Sequence, residues 1–191
     1  PVKILEIGVD TGISLFSLNN NLNIQKVPFE YTGVDIKIQN HIPVMQWSFM
    51  QVFPKKTKIK LINENSLAYL KDCNEKFDII MIDGDHNYET VKQELLFLKK
   101  ISHEHTLVVC DDYLGRHAYT DLYYSERPGY EDNKLATKRQ ESDKQGVKIA
   151  IDEFLNNNDY NCFTLPGLEK CEPICMINKK NNIIKQKSTN D

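Results

Sequence analysis

Two acidic clusters follow two apolar segments of the sequence, and both could take part in chemistry. The first is Asp83-Gly-Asp-His86, and the second is Asp111-Asp112. If the two apolar segments are neighbouring parallel strands, about 4.8 Å apart, then Asp83, Asp111 and Asp112 meet at the carboxyl edge of one sheet. Carboxylates so close repel one another, so either their pKa values rise or a hard divalent cation binds among them. Mg²⁺ is the favoured cation, with Mn²⁺ and Ca²⁺ as alternatives.

His86 lies three residues after Asp83, where its imidazole could accept a proton from a group held beside the cation. The alternatives are a surface histidine at the start of a helix and an acidic pair that only caps the next turn. Tyr113, Arg116 and His117 follow the pair and are candidates for binding an acceptor or an attached phosphate. An ordinary solvated loop would also contain such residues.

A glycine-containing turn follows the first apolar segment. The run Ile4-Leu-Glu-Ile-Gly-Val-Asp-Thr-Gly12 places Gly8 and Gly12 four residues apart, where backbone can approach a ligand closely. The dinucleotide fingerprint GxGxxG has glycine where this chain has Asp10, whose carboxylate would repel a pyrophosphate. Glu6 lies inside an apolar strand, where an unpaired carboxylate is costly, so we expect it to be bound or hydrogen-bonded.

Asp35 ends the second apolar segment, where a carboxylate can bind the hydroxyls of a ribose or merely cap the strand end. Together with Glu6 and the glycine turn, Asp35 suits a ligand that carries a ribose and a positive amino-acid end. Asn65 and Ser66 follow the third segment. Ser66 is expected to cap a helix, and Asn65 could be a simple turn residue.

These residues resemble the class I S-adenosylmethionine-dependent methyltransferases. The resemblance extends from about residue 2 to 154. It implies that Glu6 holds the methionine ammonium through the loop, that Asp35 binds ribose, and that Asn65 and Ser66 border adenine. The cofactor-binding residues implied in this way are Glu6, Gly8, Asp10, Gly12, Asp35, Asn65 and Ser66.

The run from Asp83 to Glu89, the Asp-Asp-Tyr113 sequence and the segment from Gly146 to Phe154 resemble a narrower group. It includes metal-dependent O-methyltransferases of antibiotic sugars and glycans. The resemblance implies that Mg²⁺ is bound by Asp83, Asp111 and Asp112, and that His86 is the catalytic base.

The expected reaction is methyl transfer from S-adenosylmethionine to a hydroxyl of a sugar, nucleotide sugar or glycan. Three alternatives stay open. They are an NAD-dependent sugar-modifying enzyme with a Rossmann site, a cap-type or other nucleic-acid methyltransferase, and a non-catalytic cofactor-binding subunit.

The elements that must position these residues alternate between apolar and amphipathic segments, which predicts an α/β fold. The predicted strands are 2–7, 31–36, 58–62, 77–82, 106–110, 161–165 and 174–177, and the predicted helices are 13–18, 66–72, 88–100 and 147–155. We expect one Rossmann-like domain over residues 1–178, with about seven strands, mostly parallel with the last antiparallel, and helices on both faces. Residues 114–145 are expected to form a lid or acceptor loop, or to be disordered, and 179–191 a disordered tail.

Composition limits the function classes. The 191 residues carry 24 Lys and Arg against 27 Asp and Glu, so no overall basic field attracts nucleic acid, and a small-molecule or glycan acceptor is favoured. No apolar run approaches the roughly 20 residues of a membrane span, and the first residues, PVKILEIGVDTG, do not have the charged region and long apolar core expected of a signal peptide. We therefore expect a cytoplasmic protein without membrane insertion. Five cysteines without a CxxC pair indicate reduced thiols and disfavour zinc. The first strand begins at residue 2, as expected of a trimmed chain or fragment, and no oligomeric state is predicted.

Overall fold

The computed structural model describes residues 1–25, 27–39, 57–165 and 172–178. The strands are β1 (Val2–Ile7), β2 (Phe29–Asp35), β3 (Lys58–Asn63), β4 (Phe77–Ile82), β5 (Ser102–Cys110), β6 (Tyr160–Thr164) and β7 (Ile174–Asn178). The α-helices are α1 (Ile13–Ile24), α2 (Ser66–Asp72), α3 (Tyr88–Ile101) and α4 (Val147–Asn156). A short 3₁₀ turn covers Tyr124–Glu126.

The seven strands form one sheet in the order β3-β2-β1-β4-β5-β7-β6. Only β7 runs antiparallel to its neighbours. The strand order changes direction between β1 and β4, which opens a crevice at the carboxyl edge of the sheet. The predicted Rossmann-like sheet with an antiparallel last strand is confirmed.

The alternating side chains of β1 divide the core between the two faces of the sheet. Leu5 packs in a cluster with residues of α2, α3 and α4, whereas Ile4 packs on the opposite face with residues of α1. In α3, Val91, Leu95 and Leu98 recur at helical spacing and are all buried. Helices therefore cover both faces, as predicted.

The bounds of several elements differ from those predicted. Helix α1 continues to Ile24 rather than ending at residue 18, and β5 begins at Ser102 rather than at residue 106. Ser102 pairs with Phe77 before the register between β4 and β5 shifts. Because polar residues occupy this irregular start of β5, the apolar pattern of the sequence does not mark it.

The long segment between β5 and α4 is held by hydrogen bonds rather than by regular structure. The backbone nitrogen of Leu122 donates to the carbonyl of His86 over 2.9 Å. One carboxylate oxygen of Asp121 accepts from the backbone nitrogens of Tyr88 (2.9 Å) and Gly146 (2.8 Å). Asp121 thus joins the N-terminal ends of α3 and α4, whose N–H groups lack partners within the helices. The segment is a folded part of the domain.

Three further expectations concern the tail, membrane-spanning helices and the cysteines. The predicted disordered tail, 179–191, lies outside the described residues. No helix within the described ranges is long and apolar enough to cross a membrane. The four cysteines of the described part of the chain, Cys73, Cys110, Cys162 and Cys175, are free thiols, as expected.

We expect Asp121→Ala to lower the free energy of unfolding by about 2 kcal/mol, because two helix-terminal N–H groups lose their acceptor. Asp121→Asn keeps an acceptor oxygen and should cost less. Urea denaturation followed by circular dichroism measures both, with the exposed Asp132→Ala as the control in the same segment. Equal stability of Asp121→Ala and Asp132→Ala would contradict this role.

Candidate active site

A cavity lies at the carboxyl edge of the sheet where the strand order changes direction, with about 500 Å³ of empty space that includes open solvent at its mouth. Its lining comes from the strand ends and the loops that follow them. It comprises Ile7, Gly8, Asp10, Val34, Asp35, Ile36, Glu64, Asn65, Ser66, Asp83, Gly84, Asp85, Tyr124 and Tyr130. Five of the seven predicted cofactor-binding residues are among them, and Glu6 and Gly12 are not.

Asp35 holds the glycine turn in place. Its Oδ2 accepts hydrogen bonds from the backbone nitrogens of Val9 (2.7 Å) and Asp10 (3.0 Å), and its Oδ1 accepts one from the nitrogen of Lys37 (2.7 Å). Three of the roughly four lone-pair sites of the carboxylate are therefore used. Within the described part of the chain one site remains for a ligand hydroxyl, so Asp35 has less free capacity than the sequence alone suggests.

Gly8 allows the glycine turn to cross close to the end of β4. Its φ is +85°, and a Cβ at this position would lie 1.9 Å from the carbonyl oxygen of Asp83. A side chain here would therefore force the two strand ends apart. Gly12 is buried behind the turn, where its carbonyl accepts from the nitrogen of Phe16 at the start of α1.

Glu6 lies behind the turn. It is 1% exposed and accepts hydrogen bonds from the hydroxyls of Ser14 and Tyr31. Burial raises the pKa of Glu6 above its ordinary value, and these two hydrogen bonds oppose the rise. The expected hydrogen-bonded role is present, whereas an influence on a ligand ammonium through the turn stays a prediction.

Asn65 caps α2 and also contacts the long segment. Its side-chain oxygen accepts from the backbone nitrogens of Leu67 (3.0 Å) and Ala68 (3.4 Å), so the expectation that Ser66 is the cap is wrong. Its amide nitrogen donates to the carbonyl of Leu135 (3.0 Å) and the hydroxyl of Thr137 (3.3 Å). The amide of Asn65 has an acceptor oxygen for the helix cap and a donor nitrogen for the long segment, so it makes both contacts at once. A serine side chain is too short to make both.

Asp83, His86 and Asp111 form a cluster that could hold a metal ion. One donor atom from each residue lies within 4.8 Å of the other two. Among the described residues, these three form the one group with this geometry. Its two carboxylates and one imidazole provide the oxygen and nitrogen donors that Mg²⁺ or Mn²⁺ can use. The predicted meeting of Asp83 and Asp111 at the sheet edge therefore occurs in the structure.

Asp112 lies on the other side of His86. Its Oδ2 is 3.1 Å from Nδ1 of His86, and its Oδ1 accepts from the backbone nitrogen of Arg116 over 3.1 Å. Nε2 of His86 is 3.9 Å from Oδ1 of Asp83. Asp112, at a φ of +56°, thus contacts the imidazole and is not a member of the group formed by Asp83, His86 and Asp111. The structure does not bring together all three predicted metal ligands.

The charges within the cluster shift the pKa values of its members. Lost hydration and the neighbouring Asp111 raise the pKa of Asp83 to about 8, even though 47% of its side chain is exposed. Burial and Asp112 likewise raise the pKa of Asp111. Burial opposes ionisation of both His86 and Asp112, but their mutual hydrogen bond and the neighbouring charges together outweigh it. The pKa of His86 is raised and the pKa of Asp112 is lowered.

The three predicted acceptor-binding residues are not brought together. The hydroxyl of Tyr113 donates to Asp152 of α4 over 2.7 Å, and Arg116 is exposed. The ring of His117 lies 5.3 Å from the ring of His86, and burial and the nearby His86 lower its pKa. Of the three, His117 has the side chain that contacts the cluster.

Sequence reasoning missed Tyr124 and Tyr130, which line the cavity from the long segment, and left Asp85 unassigned. Five of the nine tyrosines of the chain lie between residues 113 and 130, so composition does not distinguish the two that line the cavity. Their position depends on the path of an irregular segment, for which the sequence has no periodic signal.

The lining of the cavity is acidic. It includes five carboxylate residues and, among the described residues, no lysine, arginine or histidine; the five are Asp10, Asp35, Glu64, Asp83 and Asp85. Such a lining attracts cationic groups and repels phosphates. The arrangement therefore suits a positively charged ligand next to a cluster that can accept protons or a metal ion.

A sequence model of a family described as a methyltransferase domain matches residues 5–113, which is more than half of the chain. No curated protein sequence matches the chain. The matched region contains the glycine turn, Asp35, Asn65 and both acidic clusters.

Solved structures share the fold. A candidate O-methyltransferase from Klebsiella pneumoniae has a TM-score of 0.53 at 16% identity, over 92% of this chain and 73% of its own. One from Nostoc punctiforme has a TM-score of 0.52 at 15% identity, over 93% of this chain and 52% of its own. A TDP-rhamnose 3′-O-methyltransferase of calicheamicin biosynthesis has a TM-score of 0.51 at 13% identity, over 91% of this chain and 71% of its own. The chain spans about half the length of several structures that it resembles.

We expect Asp112→Asn to lower the pKa of His86 in the metal-free protein, because the substitution removes the negative charge beside Nδ1. Asparagine tolerates the positive φ at this position. Titration of the imidazole signals by NMR measures the change, and the exposed His105 is the internal control. An unchanged pKa of His86 would contradict the pairing.

The same pair should make stability depend on pH. A raised histidine pKa stabilises the fold below about pH 6.5 and the benefit fades as pH rises through the folded-state value, whereas a lowered aspartate pKa stabilises above about pH 4. The stability difference between wild type and Asp112→Asn should therefore be largest between about pH 4 and 6.5. A difference that does not vary with pH would count against the charged pair.

Proposed function

This chain belongs to the methyltransferase-domain family, and from that premise we propose that it is an S-adenosylmethionine-dependent O-methyltransferase. The proposed acceptor is a hydroxyl of a sugar, nucleotide sugar or glycan, and Mg²⁺ is the proposed metal ion. The proposed domain covers residues 1–178, with residues 114–145 as the acceptor loop.

The acidic lining of the cavity carries the cofactor assignment. S-adenosylmethionine has a positive ammonium and a positive sulfonium, and both are favoured beside the carboxylates of Asp10 and Asp35. A dinucleotide would instead bring its pyrophosphate against Asp10, where no lining lysine or arginine offsets the repulsion among the described residues. The lining therefore disfavours the alternative of an NAD-dependent enzyme.

The chain's own residues would hold the cofactor from three sides. Asp35 has one lone-pair site left for a ribose hydroxyl, and it fixes the backbone of Val9 and Asp10 beside the ligand. Asn65 and Ser66 also line the cavity, where they would border an adenine. Glu6 would act on the ammonium only through the turn, since its oxygens are engaged with Ser14 and Tyr31.

His86 would accept the proton of the acceptor hydroxyl at Nε2. Its Nδ1 faces Asp112, which orients the ring and stabilises the imidazolium that forms. Held by Asp83 and Asp111, Mg²⁺ would polarise the hydroxyl as a Lewis acid. Asp112 contacts His86 with one carboxylate oxygen and the backbone nitrogen of Arg116 with the other, and these contacts favour an orienting role.

The acceptor class is supported by two further observations. The sequence resembles sugar and glycan O-methyltransferases at the two acidic clusters, and the fold is similar to that of a TDP-rhamnose 3′-O-methyltransferase. A hydroxyl requires deprotonation before methyl transfer, and the cluster of Asp83, His86 and Asp111 provides proton-accepting groups beside the cavity.

We expect the protein to bind S-adenosylhomocysteine with micromolar affinity and not to bind NAD, because only the dinucleotide brings phosphates against the acidic lining. Isothermal titration calorimetry measures both ligands on the same preparation. Binding of NAD without binding of S-adenosylhomocysteine would overturn the proposal. Methyl transfer to sugar, nucleotide-sugar and glycan acceptors is then measured with and without Mg²⁺.

We expect Mg²⁺ to bind more tightly as pH rises from 6 to 8, by up to about tenfold per pH unit, because the ion must displace the proton from Asp83.

Asp111→Asn should abolish Mg²⁺ binding and reduce methyl transfer about 100-fold, with S-adenosylhomocysteine affinity unchanged. Calorimetry and a methyl-transfer assay measure these effects, with the exposed Asp143→Asn as control. Wild-type turnover of Asp111→Asn in the presence of a chelator would exclude the metal.

A further inference from the structure

Tyr124 lies where the cavity meets the acidic cluster. Tyr124 lines the cavity, and its ring is 6.5 Å from the ring of His86. Burial raises the pKa of its hydroxyl to about 12, and the carboxylates of Asp83 and Asp10 contribute because they are near the phenol. Tyr124 therefore lies between the glycine turn on one side and the proposed base on the other.

A second aromatic ring and two cations pack around Tyr124. The ring of Tyr130 is 5.1 Å from that of Tyr124, and the ammonium of Lys37 lies 4.6 Å over Tyr130. The guanidinium of Arg127 lies 5.3 Å from the Tyr124 ring. Arg127 is exposed and is not part of the cavity lining.

We propose that Tyr124 is a cofactor-binding residue that recognises the sulfonium of S-adenosylmethionine through the face of its ring. This inference rests on the proposed function. During transfer the methyl group must point toward the acceptor beside His86, so the sulfur lies at the junction that Tyr124 lines. The negative face of an aromatic ring attracts a cation that lies over it, and the attraction is stronger where water is excluded.

A sulfonium contact of this kind has a consequence for turnover. The sulfur is positively charged in S-adenosylmethionine and neutral in the product S-adenosylhomocysteine, so the ring stabilises the substrate complex alone. Tyr124 would thereby favour the methyl donor over the product and limit product inhibition. Hydrogen bonds to the ribose and adenine cannot make this distinction, because both ligands share those groups.

The test compares the affinities of both ligands for Tyr124→Phe and Tyr124→Leu by calorimetry. Phenylalanine keeps the aromatic face, and leucine keeps an apolar side chain without it. We expect Tyr124→Leu to lose about tenfold in affinity for S-adenosylmethionine, with less than a twofold change for S-adenosylhomocysteine. Tyr124→Phe should retain the wild-type preference. Tyr119→Leu, at a 64% exposed tyrosine of the same segment, is the matched control.

The outcomes separate the two proposals. Equal weakening of both ligands by Tyr124→Leu, or weakening of neither, would overturn sulfonium recognition while the cofactor assignment stands. Loss of the preference in Tyr124→Phe would assign the effect to the hydroxyl and would also overturn it. Failure of the wild-type protein to bind either ligand would overturn the proposed function together with this inference. Thermal unfolding curves verify that each variant is folded before titration.

Discussion

The close crossing of the glycine turn and the end of β4 is the contact on which the site depends. Gly8 passes so near to the carbonyl oxygen of Asp83 that a single Cβ would separate the two strand ends. This approach occurs where the sheet changes direction, between β1 and β4, and it places the cavity directly beside the acidic cluster. Asp35 completes the arrangement by accepting two N–H groups of the turn.

Repulsion among the carboxylates of the site is unfavourable when no ligand is bound, and a positively charged ligand relieves it. Five carboxylate residues line one cavity. Next to it, burial and Asp111 raise the pKa of Asp83, and burial and Asp112 raise the pKa of Asp111. Such repulsion is relieved by protons, by a metal ion or by a cationic ligand. Asp112 is the exception, since its contact with His86 keeps both groups charged over a wider pH range.

The long segment after β5 turns an open crevice into a walled cavity. Asn65 binds it at the edge of the cavity through Leu135 and Thr137, and Asp121 binds it to the starts of α3 and α4. With both ends held, the segment brings Tyr124 and Tyr130 over the carboxyl edge of the sheet. An irregular stretch of chain thereby adds two aromatic residues to a cavity whose lining is otherwise rich in carboxylates.

The sequence by itself determined the α/β fold, most of the strands and helices, and the residues at the strand ends. This was possible because apolar periodicity is a local property, and because parallel strands must bring their carboxyl ends to one edge. Gly8, Asp35, Asn65, Asp83 and Asp111 all lie at that edge, as their places after the strands indicate.

Only the tertiary structure decided the orientation and the partners of these side chains. It turned Asp112 toward His86, engaged Glu6 with Ser14 and Tyr31, made Asn65 the helix cap, and brought Tyr124 and Tyr130 to the cavity. These outcomes depend on backbone torsions and on contacts between residues far apart in the chain. Neither leaves a periodic pattern in the sequence, because a loop without repeating structure has no fixed spacing between its buried residues.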